Sequence, residues 1–244
     1  MRKDLYKELF EVENKHWWHD HKRKVIHQMI DKYANQGKVL DIGAGMGKIL
    51  KELQIRDWQV YGVDSENQAV RWSQKRGIKI KRRDIEKDLG FKSNSFDLVL
   101  ALDVIEHLKD DQEMLNKIAD VLKKQGVAII TVPAYQWLFN YWDEMLGHKR
   151  RYTTQSLKNI ISADKFEIEY LGYFSMFIFP VAMIVRIIKK IFGTTETSDF
   201  QTTPWPWISV PVIKFFNYIE RMLLSVISLP FGLSVICVIR KKYQ

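Results

Sequence analysis

The stretch from Val39 to Gly47 constrains the fold of this chain more than any other. Its sequence, VLDIGAGMG, ends an apolar run in a carboxylate and then places three glycines at alternate positions. A helical pattern of apolar residues follows from Lys48 to Leu53. Glycine lets a ligand approach the backbone and adopts positive φ angles readily. The stretch therefore predicts a buried strand, a tight turn and a helix that begins at a ligand-binding loop.

A second apolar strand, from Trp58 to Val63, ends at Asp64, seventeen residues after Gly47. In an open parallel sheet, a carboxylate at this position binds the hydroxyls of a ribose. The glycines have the spacing GxGxG, whereas dinucleotide-binding loops have GxGxxG, which disfavours a nicotinamide dehydrogenase. Asp41, just before the glycines, suits a cationic ligand better than a pyrophosphate. S-adenosylmethionine carries an ammonium and a sulfonium and no phosphate, so its charges fit this loop.

Six short motifs follow one another between about residues 37 and 135. They are DIGAGMG from Asp41, GVD from Gly62, RDI from Arg83, SFDLV from Ser95, DVIEHL from Asp103 and LKKQG from Leu122. Their order and spacing resemble the successive motifs of class I S-adenosylmethionine-dependent methyltransferases. One departure, Gln125-Gly126 where that family often has Pro-Gly-Gly, affects a turn and no chemistry.

Three motifs outside this core resemble a subgroup of small bacterial and archaeal methyltransferases. They are HWW from His16, HKRRYT from His148 and LPFG from Leu229. The resemblance covers nearly the whole chain and implies an enzyme whose cofactor is S-adenosylmethionine. It names no methyl acceptor.

The alternation of strand and helix patterns from Lys38 to Val132 predicts the same fold. We expect an α/β, Rossmann-like doubly wound sheet, mostly parallel with an antiparallel seventh strand. The predicted strands are 38–42, 59–63, 79–81, 96–102, 127–132, 166–174 and 234–240, with helices near 47–53, 66–76 and 110–124. The predicted regions are an N-terminal helical lid at 1–34, a methyltransferase core at 35–174, an apolar helical insertion at 175–232 and the final core strand at 233–244.

Carboxylates near the ends of four predicted strands should surround one crevice, because such sheets bind ligands at the carboxyl ends of their strands. The resemblance assigns the cofactor to Asp41, Gly43, Ala44, Gly45, Gly47, Asp64, Ser65, Asp84, Ile85, Leu102 and Asp103. Within this set, Asp64 would bind the ribose, and Asp84 with Ile85 would contact the adenine. Leu102 and Asp103 would face the sulfonium.

The DVIEHL motif is where we expect the chemistry. Methyl transfer depends mainly on positioning, and a base is needed only for a weakly acidic hydroxyl or a protonated amine. His107 is the first candidate for that base and His148 the second. The alternative for His107 is a structural role at a helix start. We predict no metal site, because the spacing of His16, His19 and His21 does not place them on one helix face.

Four residues are assigned to the methyl acceptor: Trp17, Tyr135, Arg151 and Tyr152. Adjacent tryptophans at 17 and 18 cannot both face one core stripe, so one of them could cover the cofactor or pack on the domain. The aromatic loop after the fifth strand is placed to form a pocket wall. The basic cluster 148–151 could bind a phosphate or carboxylate, and an exposed basic patch is the alternative.

The insertion is strongly apolar and is interrupted by cations, in a chain of net charge +9. The run Met222–Ile239 has eighteen uncharged residues, but Pro230 to Gly232 divide it, which argues against a membrane span. Two amphipathic helices with tryptophans and cations suit a membrane surface, a cap over a substrate pocket or a homodimer contact. These alternatives are not exclusive.

Composition and the N-terminus indicate the compartment. Cys237 is the one cysteine, which excludes an internal disulfide, and the charged N-terminus does not resemble a signal peptide. We therefore expect a cytoplasmic protein that can be peripheral to the membrane.

These features predict O-methylation of a bulky amphiphilic or lipid-linked small molecule. The alternatives are an RNA methyltransferase and a non-catalytic, membrane-docking subunit that binds S-adenosylmethionine. DNA methylation is disfavoured, because Leu102 to Ile105 is not a Pro-Pro-aromatic tetrad and Cys237 lies on the wrong strand for a nucleophile.

Overall fold

The computed structural model describes residues 16–192 and 206–243, together with Phe10 and Glu13. The helices in this part of the chain are α1 (Trp17–Tyr33), α2 (Lys48–Ile55), α3 (Asn67–Lys75), α4 (Asp111–Val121), α5 (Tyr141–Leu146), α6 (Thr154–Ile160), α7 (Phe179–Phe192) and α8 (Pro206–Leu224). The strands are β1 (Lys38–Ile42), β2 (Gln59–Asp64), β3 (Lys81–Arg82), β4 (Phe96–Leu102), β5 (Leu122–Pro133), β6 (Phe166–Phe174) and β7 (Ser234–Lys241). Short 3-10 turns occupy Ile105–His107 and Gln136–Leu138.

The strands form one sheet in the order β3-β2-β1-β4-β5-β7-β6. β7 runs antiparallel to both of its neighbours, and the other pairs are parallel. The strand order reverses between β1 and β4, and doubly wound sheets bind their ligands at such a switch point. The predicted fold class is confirmed.

Apolar side chains cover both faces of the central strands. β1 and β4 are apolar over most of their length, as expected where helices cover a parallel sheet on both sides. On one face α1 and α2 bury Met29 and Leu53, and on the other face α4 buries Ile118. Packing of this kind fixes the strand ends, where the site lies, because each fully buried apolar side chain contributes about 1.5–3 kcal/mol.

The element bounds differ from the predicted ones by a few residues. β6 begins and ends where the sequence predicted, whereas β3 is short because only Lys81 and Arg82 pair with β2. β5 begins at Leu122 rather than at 127, because Leu122 already pairs with Phe96 across an irregularity in register. Gln125 in that irregular stretch has a φ of 61°.

The segment between β6 and β7 contains α7 and α8. α8 ends at Leu224, and the chain then passes Pro230 before β7 begins, so the apolar run from 222 to 239 is divided between a helix and a strand. Within the described ranges, no helix has both the length and the apolar character needed to cross a membrane. Most of the helix predicted before residue 16 lies outside the described residues.

A buried carboxylate joins α1, α8 and the end of β6. Nε2 of His21 lies 2.9 Å from Oε1 of Glu220, and the two side chains are 1% and 0% exposed. The same carboxylate accepts hydrogen bonds from the backbone N–H groups of Ser175 and Met176. Ser175 has a φ of 62°, in the left-handed region that L residues rarely adopt. Glu220 therefore holds α1 and the strained exit from β6 against α8.

Glu220→Ala should lower the free energy of unfolding by about 3–5 kcal/mol, because it leaves buried partners without their carboxylate. Glu169→Ala is the matched control, since Glu169 pairs with Arg240 in a partly exposed position and such pairs contribute at most about 1 kcal/mol. Urea unfolding monitored by tryptophan fluorescence measures both variants. Equal losses of stability would contradict the role assigned to Glu220.

Candidate cofactor and acceptor site

A crevice of about 600 Å³ lies at the carboxyl ends of β1, β2 and β4. Ten of the eleven residues that the sequence assigns to the cofactor line it, including all four strand-end carboxylates. The exception is Gly47, which precedes α2 with a φ of 70° and packs beside Ser73 and Ile78. Gly47 therefore shapes the turn and does not line the crevice.

The glycine loop leaves open space above its backbone. Gly43 and Gly45 have φ angles of 66° and 52°. A Cβ atom on Gly43 would lie 2.6 Å from Cγ2 of Val104, whereas one on Gly45 would meet no atom within 4 Å in the described part of the chain. A ligand can therefore contact the backbone at Gly45, and this cradle fits the cofactor that the sequence predicts.

Asp64 and Asp41 lie at the ends of adjacent strands. Oδ2 of Asp64 accepts a hydrogen bond from N–H of Gly45 at 2.9 Å, and Oδ1 accepts one from N–H of Glu66 at 2.8 Å. Burial raises the pKa of Asp64, and these hydrogen bonds oppose the shift. Burial and then the charge of Asp64 raise the pKa of Asp41 well above its usual range. A cationic ligand would lower both pKa values, so the crevice favours positive charge.

Asp103 lies just beyond β4 and binds a lysine from α1. Nζ of Lys22 forms an ion pair with Oδ2 of Asp103, and the Thr131 hydroxyl donates a hydrogen bond to Oδ1 at 2.9 Å. Burial would raise the pKa of Asp103, but Lys22 and Thr131 hold it below its usual value. His19 also lines the crevice, and burial lowers its pKa to about 4. α1 thus contributes His19 and Lys22 to the crevice, together with Arg23 and Ile26.

His107 and His148, the two predicted catalytic residues, lie side by side with ring centroids 4.7 Å apart. Nδ1 of His107 is 3.2 Å from the carbonyl oxygen of Gly147, and Nδ1 of His148 is 2.7 Å from Oδ1 of Asp143. These acceptors favour a proton on Nδ1, which leaves the lone pair on Nε2 of each ring. Burial and then His148 lower the pKa of His107. His107 lines the crevice and His148 lies behind it.

Asp143 connects His148 to Arg151. Nε and Nη2 of Arg151 each donate a hydrogen bond of 2.8 Å to the Asp143 carboxylate, in a buried bidentate pair. Burial would raise the pKa of Asp143, but His148 and Arg151 lower it to about 2. Asp143 therefore stays ionised and orients His148. The role predicted for Arg151 toward the acceptor stays a prediction.

The other residues assigned to the acceptor do not line the crevice. Tyr152 donates a hydrogen bond from its buried hydroxyl to Oδ2 of Asp111 at 2.7 Å. Tyr135 stacks on Tyr173 with ring centroids 5.2 Å apart. Trp17 begins α1 and meets Trp18 edge to face. Acceptor binding by these residues stays a prediction.

Sequence reasoning did not assign Lys22, His19 or Asp143 to the site. A signal for the first two exists, because the buried stripe of α1 at Ile26 and Met29 continues toward the N-terminus at the same spacing through Lys22 and His19. Polar residues that continue a buried stripe face either a partner or a ligand. No local pattern identifies the pairing of Asp143 with Arg151.

A family model described as a methyltransferase domain matches residues 40–130, from β1 into β5. The match contains the glycine loop and the strand-end carboxylates around the crevice. Residues 40–130 are therefore a class I S-adenosylmethionine-dependent methyltransferase domain, and S-adenosylmethionine is its cofactor.

Known proteins resemble this chain over part or all of its length. Sterol 24-C-methyltransferase of Aspergillus fumigatus is 30% identical over 140 residues, which cover 53% of this chain and 36% of that protein. A ubiquinone biosynthesis O-methyltransferase of Rickettsia prowazekii is 26% identical over 143 residues, which cover 51% of this chain and 57% of that protein. The chain thus spans about a third of the length of the first relative and just over half of the length of the second.

A solved structure shares the fold. The S-adenosylmethionine-dependent methyltransferase of Methanosarcina mazei superposes with a TM-score of 0.59 at 15% identity, covering 88% of this chain and 98% of that one. The likeness covers 88% of the chain and therefore extends beyond residues 40–130.

Asp64→Asn should weaken binding of S-adenosylhomocysteine about 10- to 100-fold, because hydrogen bonds to a charged group contribute about 1.5–3 kcal/mol. Asp31→Asn is the matched control, since Asp31 is exposed and pairs with Arg56 away from the crevice. Isothermal titration calorimetry measures both dissociation constants. An unchanged affinity in Asp64→Asn would remove Asp64 from the cofactor site.

Proposed function

We propose that this protein transfers a methyl group from S-adenosylmethionine to an oxygen atom of a bulky amphiphilic or lipid-linked small molecule. The observation that carries the proposal is the position of His107. It lines the crevice with Asp103 and Leu102, and its Nε2 bears a lone pair next to the end assigned to the sulfonium. The cofactor supplies an electrophilic methyl group at that end.

Residues of the crevice would hold the cofactor in one orientation. Asp64 would bind the ribose hydroxyls, and Asp84 with Ile85 would contact the adenine at one end. Asp41 and Asp103 would place negative charge around the sulfonium and the ammonium. Fixing both reactants in line supplies most of the rate enhancement of a displacement reaction.

His107 would accept a hydrogen bond from the acceptor hydroxyl. His148 would pack against the His107 ring on the side away from the crevice. A neutral imidazole at this position accepts the proton that the hydroxyl loses when the oxygen is methylated. The lowered pKa of His107 keeps its Nε2 unprotonated at neutral pH. Asp143 and Arg151 would act as positioning residues for His148.

Aromatic side chains favour an acceptor with an apolar body. Tyr135 and Trp137 follow β5, next to β4 in the sheet, and have ring centroids 5.6 Å apart. Phe179 and Phe231 lie near the two ends of the segment between β6 and β7 and continue this cluster. The ring centroid of Phe179 is 5.4 Å from that of Tyr135 and 5.7 Å from that of Phe231. Named relatives act on a sterol or in ubiquinone biosynthesis, and sterols and ubiquinone are both lipids.

Exposed apolar side chains of α7 and α8 favour a peripheral membrane location. Ile184 on α7 and Phe215 on α8 are 52% and 60% exposed. An anionic membrane surface also attracts a chain of net charge +9. We therefore propose a cytoplasmic protein that docks on the membrane holding its acceptor. A homodimer through the same helices is the alternative.

Methyl-tritiated S-adenosylmethionine tests the proposed reaction. The purified protein is incubated with the labelled cofactor and total membranes of its host, followed by extraction into organic solvent. We expect label in the organic phase, and about a tenth of it or less with Asp64→Asn. Label confined to aqueous RNA would favour RNA methylation, and cofactor binding without label in any fraction would favour a non-catalytic subunit.

His107→Asn should lower kcat/KM about 10²- to 10⁴-fold, the range in which general bases contribute. Its affinity for S-adenosylhomocysteine should change less than about threefold. His27→Asn is the control, because His27 contacts a carboxylate, Glu52, at 2.9 Å outside the crevice. Methyl transfer by His107→Asn at the rate of the unmodified protein would exclude His107 as the base.

Replacing Ile184 and Phe215 together with glutamate should reduce binding to anionic lipid vesicles at least about tenfold, since burial of each apolar side chain contributes about 1.5–3 kcal/mol. Ile55→Glu is the control, because Ile55 is 72% exposed at the end of α2. Cosedimentation with vesicles measures the bound fraction. Equal binding of the double variant and the control would contradict docking through α7 and α8.

A further inference from the structure

Three metal-ligand side chains meet beside the crevice: those of Glu106, His107 and His148. One ligand atom from each of them lies within 4.8 Å of the others. Nε2 of His148 is 4.0 Å from Oε1 of Glu106, which is too far for a hydrogen bond. The first two residues lie in the 3-10 turn after β4, and the third follows α5. The fold therefore assembles the group from two separate segments.

Glu106 is the unusual member of this group. Its side chain is fully buried, and neither carboxylate oxygen has a hydrogen-bond partner in the part of the chain that the structure describes. A buried carboxyl without partners is costly, and such groups are rare unless a ligand satisfies them. A cation is one ligand that would remove this cost.

The two histidines are oriented as metal ligands usually are. Metal-binding imidazoles donate their second N–H to a carboxylate or a backbone carbonyl, which fixes the ring and its tautomer. Here Asp143 accepts from Nδ1 of His148 and the Gly147 carbonyl from Nδ1 of His107. Both Nε2 atoms are left to bind an ion.

We propose that Glu106, His107 and His148 bind one divalent transition-metal ion, such as Co²⁺, Mn²⁺ or Zn²⁺. Two imidazoles and one carboxylate match the ligand preferences of these ions better than those of Mg²⁺. Bonds of about 2.0–2.2 Å separate the ligand atoms of a tetrahedral ion by about 3.4 Å. Movements of the side chains by roughly 1 Å would bring them to this separation.

The ion would also select the acceptor, a consequence that rests on the proposed function. His107 lines the crevice, so an open coordination position next to it would face the methyl donor. An oxygen bound there loses its proton more readily, because a metal ion stabilises the negative charge. The acceptor would then be a phenol or another hydroxyl compound that coordinates the ion through oxygen. With the ion bound, Nε2 of His107 is a ligand, and the proton of the coordinated hydroxyl passes to solvent water rather than to the ring. The ion stabilises the resulting oxyanion, which takes the methyl group while S-adenosylhomocysteine leaves.

Binding of Co²⁺ to the full chain tests the proposal without any acceptor. The protein is first depleted of metal with a chelator and then titrated by calorimetry and visible absorption. We expect one equivalent of Co²⁺, an affinity for Mg²⁺ at least about tenfold weaker, and a loss of about tenfold or more in Co²⁺ affinity with Glu106→Gln. Asp143→Asn, which changes the partner of His148, should lower it about 10- to 100-fold.

Glu52→Gln is the matched control, because Glu52 contacts His27 in another His–carboxylate pair. It should leave Co²⁺ binding unchanged, and Glu106→Gln should still bind S-adenosylhomocysteine as the unmodified protein does, which shows that it folds. Absence of Co²⁺ binding, or equal binding by Glu106→Gln, overturns the metal site. Methyl transfer in the presence of chelator would then still support the proposed function. Co²⁺ binding without methyl transfer would support the metal site and contradict the proposed function.

Discussion

The burial of carboxylates at the ends of adjacent strands is the constraint on which the site depends. Asp41, Asp64 and Asp103 come together because β1, β2 and β4 are parallel neighbours whose carboxyl ends share one edge of the sheet. Burial destabilises the charged forms of Asp41 and Asp64, and the charge of Asp64 adds to this effect at Asp41. Lys22 from α1 compensates Asp103, and the hydrogen bonds from Gly45 and Glu66 compensate Asp64 in part. What remains uncompensated, mainly at Asp41, is the physical basis for binding a cationic cofactor.

The sequence predicted the fold and the cofactor crevice because both depend on local patterns. The glycines at 43 and 45 require positive φ angles, and the apolar strands end in carboxylates at regular intervals, so the sheet edge follows from the order of the elements. The acceptor side could not be predicted in the same way. The contacts of Asp143 with His148 and Arg151 join α5 to the loop that follows it. Nothing in the sequence DEMLGHKRR distinguishes a buried ion pair from an exposed basic patch. The burial of Glu106 also depends on tertiary packing and not on a local pattern, because the next residue, His107, lines the crevice.

The cofactor half and the acceptor half of the site are built from different kinds of structure, and this difference has a functional consequence. The cofactor half uses backbone groups and strand ends, which the core packing of β1 and β4 holds rigidly. The acceptor half uses the 3-10 turn, the loop after α5 and the aromatic cluster around Tyr135 and Phe179. Loops of this kind vary without disturbing the sheet, so a common cofactor site can serve many acceptors.

A crystal structure with S-adenosylhomocysteine bound would test the orientation from which the rest of the account follows. The ribose hydroxyls should lie within hydrogen-bond distance of Asp64, and the sulfur atom should lie closer to Asp103 and His107 than the adenine does. An adenine next to Asp103, or a ligand outside the crevice, would contradict the assignment of the methyl donor to the His107 end and with it the proposed chemistry.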